Sequence, residues 1–212
     1  RGKQSGDPMS SPTRATPVNQ AIRVNFLRLA FLLAVPLLVF THSAWPAPVF
    51  EIIEILGLTL VIAAVLGRFW AILYIGGHKN RTVMRDGPYS VCRHPLYLFS
   101  TLGVVGLGLM LGSIVITALL GGMTFAILSA TARKEEAFLR GQFGPAYDDY
   151  AAGVSMILPR LSGFRTEDTV TVSVPHLRRN LMDALVFLTF IPLADALEFL
   201  NENRMLPGIA IW

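Results

Sequence analysis

Between Leu96 and Thr131 the only ionisable side chain is the phenol of Tyr97. A stretch of about 35 such residues is too long for one membrane-crossing helix, which needs about 20, and right for a tight helical pair. Gly112-Ser113 is the expected turn. Glycines at 103, 106, 108, 112, 121 and 122 let two backbones approach closely, as packing in lipid favours, or stand simply as the glycines common in such helices. The chain as a whole is 53% hydrophobic and 15% charged, against about a quarter charged in an ordinary soluble domain. Lipid is the solvent this composition fits.

Two apolar runs precede the hairpin. Val24 to Ala44 is long enough to cross a bilayer, with Pro36 absorbed as a kink. After a Trp45-Pro46-Ala47-Pro48 break, Val49 to Ile75 supplies a second run, whose Glu51, Glu54 and Arg68 tilt or snorkelling would accommodate. Leu181 to Leu200 is a weaker fifth segment, because Asp183, Asp195 and Glu198 interrupt it near its ends; it reads as a span in preference to an interfacial helix. The expected fold is all-α: a polytopic membrane helix bundle of about five transmembrane helices.

Three regions follow. Residues 1–22 form a polar, Ser-, Pro- and Thr-rich tail, in which Met9 reads as a natural start and residues 1–8 as an added leader. Residues 23–160 form the membrane core, and 161–212 a linker with an additional membrane or interfacial helix.

Of 18 Lys and Arg, five lie in residues 1–28, four in 76–95 and seven in 131–180, whereas the Trp45 to Phe50 connection and the Gly112 turn carry none. The positive-inside rule places the three basic segments, the N-terminus included, in the cytoplasm, with a bacterial inner membrane as the expected location. The net charge of +4 follows from this bias and favours anionic head groups; nothing points to nucleic acid. The single Cys92 excludes an internal disulfide framework and a zinc site of several thiolates, no metal is expected, and the thiol reads as space-filling.

Because the hairpin returns the chain to the side it left, residues 78–95 and 133–160 are expected to meet over the ends of the same helices. The first holds an Asp86-Gly87-Pro88-Tyr89 turn and then Arg93-His94-Pro95-Leu96-Tyr97, with Pro95 suited to a first helical position. A cation, an imidazole and a phenol at a helix start suit a ligand carboxylate, although the same residues also decorate membrane interfaces and cap helices. The second places Glu135 and Glu136 where the fourth span leaves the bilayer, either to bind a ligand ammonium, to pair with Arg93, or to form a solvated face. S-adenosylmethionine needs a carboxylate acceptor, an ammonium acceptor, an apolar slot for adenine and tolerance of a sulfonium, and the two stretches together can supply all four.

These residues resemble the isoprenylcysteine carboxyl methyltransferase and phospholipid methyltransferase group of membrane enzymes over roughly residues 68–160. The resemblance rests on Gly87, Tyr89, Arg93, His94, Pro95 and Tyr97, then the hydrophobic hairpin, Glu135 and Glu136, and Phe143, Gly144, Tyr147 and Tyr150. It implies an S-adenosylmethionine pocket formed by His78, Gly87, Tyr89, His94, Pro95, Tyr97, Glu135, Glu136 and Tyr147, with Glu135 or Glu136 holding the amino group. Arg93, His94 and Glu136 are the implied catalytic set, although Arg93 instead organises the site or faces the acceptor in a second version. Tyr147 and Tyr150 close the pocket or serve as packing residues.

The implied reaction is methyl transfer to a lipid-like or prenylated acceptor, on a carboxyl oxygen or an amine nitrogen. Two departures bear on it: Phe99 stands where the family usually has Gly, and Val154-Ser155-Met156 where it usually has Val-Pro-Arg. Two other functions compete. An NADPH-dependent reductase of the sterol-reductase type would bind phosphates through the basic stretch 78–93, and a non-catalytic membrane protein would have lost its site.

Overall fold

The computed structural model describes residues 41–42, 45–76, 82–202 and 209–210. Most of the first expected span, Val24 to Ala44, lies outside them. At its tail, Thr41–His42 (β1) pairs in parallel with Ile209–Ala210 (β2), so that run does not stay helical to Ala44. A β-branched Thr41 suits an extended ladder as well as a helix end.

Helix α1, Ala47–Ile75, begins directly after the Trp45-Pro46 corner, with a proline in its first turn, where a missing N–H costs nothing. The short helix α2 is Pro88–Val91, and α3 is Pro95–Met110, 16 residues long. Gly112 turns the chain with φ of +66°, a conformation that favours glycine. Ser113 then caps α4, its hydroxyl accepting from Ile116 N at 3.1 Å. The expected Gly112-Ser113 turn is therefore where the structure has it.

Helix α4, Ile114–Phe143, has 30 residues, 14 more than α3, and so overhangs the start of α3 by about 20 Å at 1.5 Å per residue. Glu135 and Glu136 are carried on that overhang. Helix α5, Pro145–Gly153, folds back after Gly144, and α6 runs Val174–Glu202. α6 starts seven residues ahead of the expected fifth segment.

Helix α3 packs between α1 and α4, and α6 lies against α1. The α1–α3 crossing is a backbone contact: a Cβ on Gly57 would lie 2.6 Å from Gly106 O, and one on Gly106 would lie 2.7 Å from Gly57 O. Such close approach is how helices associate in lipid, where the hydrophobic effect gives no net drive. Gly122, by contrast, faces open space.

Among the described residues, α1 and α4 are long and apolar enough to cross a membrane, and α3 is a shorter apolar helix. Only 22% of the apolar stretch of either long helix is buried within the protein. The core helix of a soluble protein would be mostly covered, whereas here Ile52, Leu66, Val115 and Leu119 point outward. The outward face is apolar because lipid, not protein, completes its packing.

Two polar ties fix the ends of this bundle. Trp45 Nε1 donates to Gly112 O at 3.1 Å, joining the start of α1 to the hairpin turn. Arg68 does not snorkel away from the protein; it turns inward, donating through Nη1 to Ser100 Oγ on α3 and through Nη2 to Asn180 Oδ1 on α6, at 2.5 and 3.2 Å. A cation two turns inside a helix end is stabilised better by fixed acceptors on its neighbours than by exposure to hydrocarbon.

Candidate active site

At the end of the bundle away from Trp45, the start of α3 meets the overhang of α4. Pro95 opens α3 with His94 at its N-cap position. Arg93 reaches across: its Nε donates to Glu136 Oε1 at 2.8 Å, and its Nη1 donates to the carbonyls of Ala151 and Val154 at 2.5 and 2.8 Å. One guanidinium thereby joins α3, α4 and the end of α5, using the fork geometry that only arginine has.

Glu136 is nearly fully buried. It also receives Arg140 Nη2 at 3.4 Å, while Arg140 Nε donates to Asp148 Oδ1 at 3.1 Å. Its oxygens are committed to the protein. Glu135 is different: its side chain is 22% exposed against 5% for Glu136, and Tyr97 OH donates to its Oε2 at 2.9 Å. The Tyr97 ring stacks on His94, nearly parallel, with centroids 5.3 Å apart.

His94 lies between the two glutamates, Nδ1 3.8 Å from Glu135 Oε2 and Nε2 3.4 Å from Glu136 Oε1. Burial lowers its pKa below the ordinary 6.5, and the two carboxylates only partly offset that, so the imidazole is neutral at pH 7. Its Nε2, 3.4 Å from Glu136 Oε1, makes no well-aligned hydrogen bond among the described residues.

The same holds for two phenols. Tyr89 and Tyr147 are buried, and neither hydroxyl has a hydrogen-bond partner among the described residues. Burial raises both pKa values, that of Tyr147 to about 12, so both are protonated donors. Tyr150 is satisfied instead, donating to Tyr89 O at 2.7 Å. Arg140 and Arg85 lie over the Tyr147 and Tyr150 rings at 5.6 and 6.0 Å.

All of this surrounds one cleft that opens to the outside of the protein. Tyr89, Arg93, His94, Pro95, Tyr97, Glu135, Tyr147 and Tyr150 line it, together with an apolar wall of Ile75, Leu139 and Phe143. Leu139 and Phe143 follow Glu135 at intervals of four on α4, one helical face. That spacing is visible in the sequence once α4 is carried past the bilayer to Phe143. Gly87 does not line the cleft; its φ of +59° and a would-be Cβ 2.3 Å from the Tyr74 ring make it a close-packed corner. His78 lies outside the described residues.

The two departures in sequence have visible consequences. Residues 154–160 run beside 91–94: Arg93 N donates to Ser155 O, His94 N to Met156 O, and Arg160 N to Val91 O, at 2.9, 3.0 and 2.9 Å. Ser155 and Met156 thus contribute through their carbonyls, which any residue supplies. Phe99 fills the space over Gly67, whose would-be Cβ falls 2.2 Å from the ring. It is a helix-packing residue and not part of the cleft lining. Cys92 is fully buried, with its thiol pKa pushed up to about 12 by that burial, which makes it unreactive.

Residues 52–146 match the phospholipid methyltransferase family model. The chain is 34% identical over 212 residues to the cobalt-zinc-cadmium resistance protein CzcN of Cupriavidus metallidurans, covering 96% of this chain and 97% of that one. It is 37% identical over 191 residues to the nickel-cobalt-cadmium resistance protein NccN of Alcaligenes xylosoxydans xylosoxydans, covering 89% of each. A shorter match, 30% over 82 residues, covers 39% of this chain and 35% of the protein-S-isoprenylcysteine O-methyltransferase of Schizosaccharomyces pombe. No solved structure matches.

Proposed function

The chain belongs to the phospholipid methyltransferase family of membrane methyltransferases, and from that premise we propose that its cleft binds S-adenosylmethionine and methylates a lipid-like or prenylated acceptor. The observation that carries this reading is that Tyr89 OH, Tyr147 OH and His94 Nε2, three buried groups with no well-aligned hydrogen bond among the described residues, belong to side chains lining one cleft that also holds Glu135. Buried polar atoms are nearly always satisfied, so three around one space call for a polar ligand.

The donor set fits the cofactor. Glu135 accepts from an ammonium, the two phenols donate to a carboxylate, and Ile75, Leu139 and Phe143 cover an aromatic base. The tyrosine faces tolerate a sulfonium. Bound there, S-adenosylmethionine supplies a methyl group activated for in-line displacement.

The protein aligns the nucleophile and excludes water. Arg93 acts as a positioning residue, through Glu136 and the two carbonyls it holds. A carboxylate acceptor needs no base. For an amine, neutral His94 takes the released proton at Nε2. The apolar body of the acceptor stays in the bilayer while its reactive end enters the cleft. The bias of Lys and Arg toward residues 76–95 and 131–180 supports a cleft that faces the cytoplasm from a bacterial inner membrane.

Calorimetric titration of the purified protein tests the proposal. S-adenosylmethionine should bind, Glu135→Ala and His94→Ala should abolish binding without unfolding the protein, and NADPH should give no heat. Absence of S-adenosylmethionine binding that added lipid does not restore would overturn it.

A further inference from the structure

Residues 158–165, Leu-Pro-Arg-Leu-Ser-Gly-Phe-Arg, cross the same end of the bundle. Leu158, Leu161 and Phe164 are 69, 76 and 51% exposed, an unusual density of bare apolar side chains in eight residues outside any long helix. The strip is firmly held. Arg160 N donates to Val91 O, Arg165 N to Ser90 Oγ at 3.0 Å, and Gly87 N to Arg165 O at 2.8 Å. A 3₁₀ turn at Leu161–Gly163 sets its shape. Its apolar exposure is therefore built in and does not arise from a loose loop.

Its height is fixed as well. The Phe164 ring lies 6.0 Å from that of Trp70 on α1, five residues before the helix ends at Ile75. Tryptophan near the end of a membrane helix marks the level of the head groups. Arg160 and Arg165 alternate with the apolar residues, and exposed Arg178 and Arg179 follow near the start of α6, where Val174 is also bare. Asp86 Oδ1 lies 3.8 Å from Arg165 Nε, and Glu167 and Asp168 follow the strip, so the basic character is concentrated but not unopposed.

We propose that residues 158–165 are an interfacial anchor, with Leu158, Leu161 and Phe164 in the acyl boundary and Arg160 and Arg165 on the phosphates of an anionic leaflet. Alternation of apolar and cationic side chains at head-group level matches the two layers of a membrane surface. The strip is bonded to Gly87, Ser90 and Val91, so its docking sets the depth of Tyr89 and the neighbouring His94 in the leaflet. That last consequence rests on the proposed function, whereas the docking itself does not.

The test uses the full chain in nanodiscs of phosphatidylcholine and phosphatidylglycerol, with an environment-sensitive fluorophore on Leu161→Cys or, separately, Phe164→Cys, in a Cys92→Ser background. Asp149→Cys on exposed α5 is the aqueous control. Lipids brominated near the head group should extinguish emission at 161 and 164, and iodide should do so only at 149. Quenching of 161 and 164 by iodide, or by neither agent, would overturn the anchor, the latter by showing a protein cover. Local enrichment of brominated phosphatidylglycerol over phosphatidylcholine should fall about fivefold for each of Arg160→Gln and Arg165→Gln. Undiminished enrichment in the double variant would overturn the phosphate contacts. None of these readings depends on methyl transfer.

Discussion

Arg93 and Glu136, 43 positions apart in the chain, meet at 2.8 Å with both side chains largely withdrawn from solvent. Removing one partner strands the other as a buried charge. Glu136→Gln should therefore cost about 3 kcal/mol, the scale for breaking a buried pair, read as a lower unfolding midpoint in detergent. Arg93→Lys should fall between wild type and Arg93→Ala, because an ammonium keeps the charge but not the fork that reaches Ala151 and Val154.

Tyr147→Phe should separate ligand binding from folding. Its hydroxyl is buried without a hydrogen-bond partner among the described residues, so deletion should leave the unfolding midpoint unchanged or raise it, since an unsatisfied buried group costs about 1–3 kcal/mol. Titration calorimetry should show S-adenosylmethionine binding weakened by about tenfold, a charge-assisted hydrogen bond's worth. A large loss of stability with unchanged binding would assign the phenol to the fold alone.

The acid side of the stability profile should carry the signature of His94. Its folded pKa lies below the unfolded 6.5 because of burial, so the unfolded chain binds the proton more readily. The contribution is complete above about pH 6.5 and is lost as pH falls through that value toward the lower folded one. Subtracting the profile of His94→Gln from that of wild type removes the carboxylate contributions, and the difference should slope from about pH 6.5 downward until the lower folded pKa is passed. A flat difference would place the imidazole in contact with water.

Phe99 and Gly67 should behave as a coupled pair. Gly67→Ala drives a Cβ into the ring and should cost about 1–3 kcal/mol by overpacking. Phe99→Gly should cost a similar amount by leaving a void, and the double variant should cost less than the sum of the two. Thermal unfolding of the four proteins checks this, and simple additivity would show that the ring moves aside freely.

The hairpin was legible from Leu96 to Thr131 because lipid imposes a composition that local structure cannot disguise. The cleft residues were legible in part because Arg93, His94 and Tyr97 stand at one end of the hairpin and Glu135 at the other, where a returning chain brings them to the same side. The continuation of α4 to Phe143 was harder to read, since past the bilayer a helix loses its apolar signature, and so Phe143 stood only as a motif residue while the apolar wall it forms with Leu139 went unread. Arg68 was read as a charge that tilt or snorkelling accommodates because Asn180, its second acceptor, lies 112 positions away. The pairing of residues 154–160 with 91–94 runs through backbone groups, which leave no trace in side-chain identity.

The indole clasp between Trp45 and Gly112 has a mechanical consequence. With α1 and the α3–α4 hairpin pinned together at that end, α1 tied to α3 again by Arg68, and α3 to α4 by Arg93 and Glu136, the three helices are braced like a trestle, and the walls of the cleft keep their spacing.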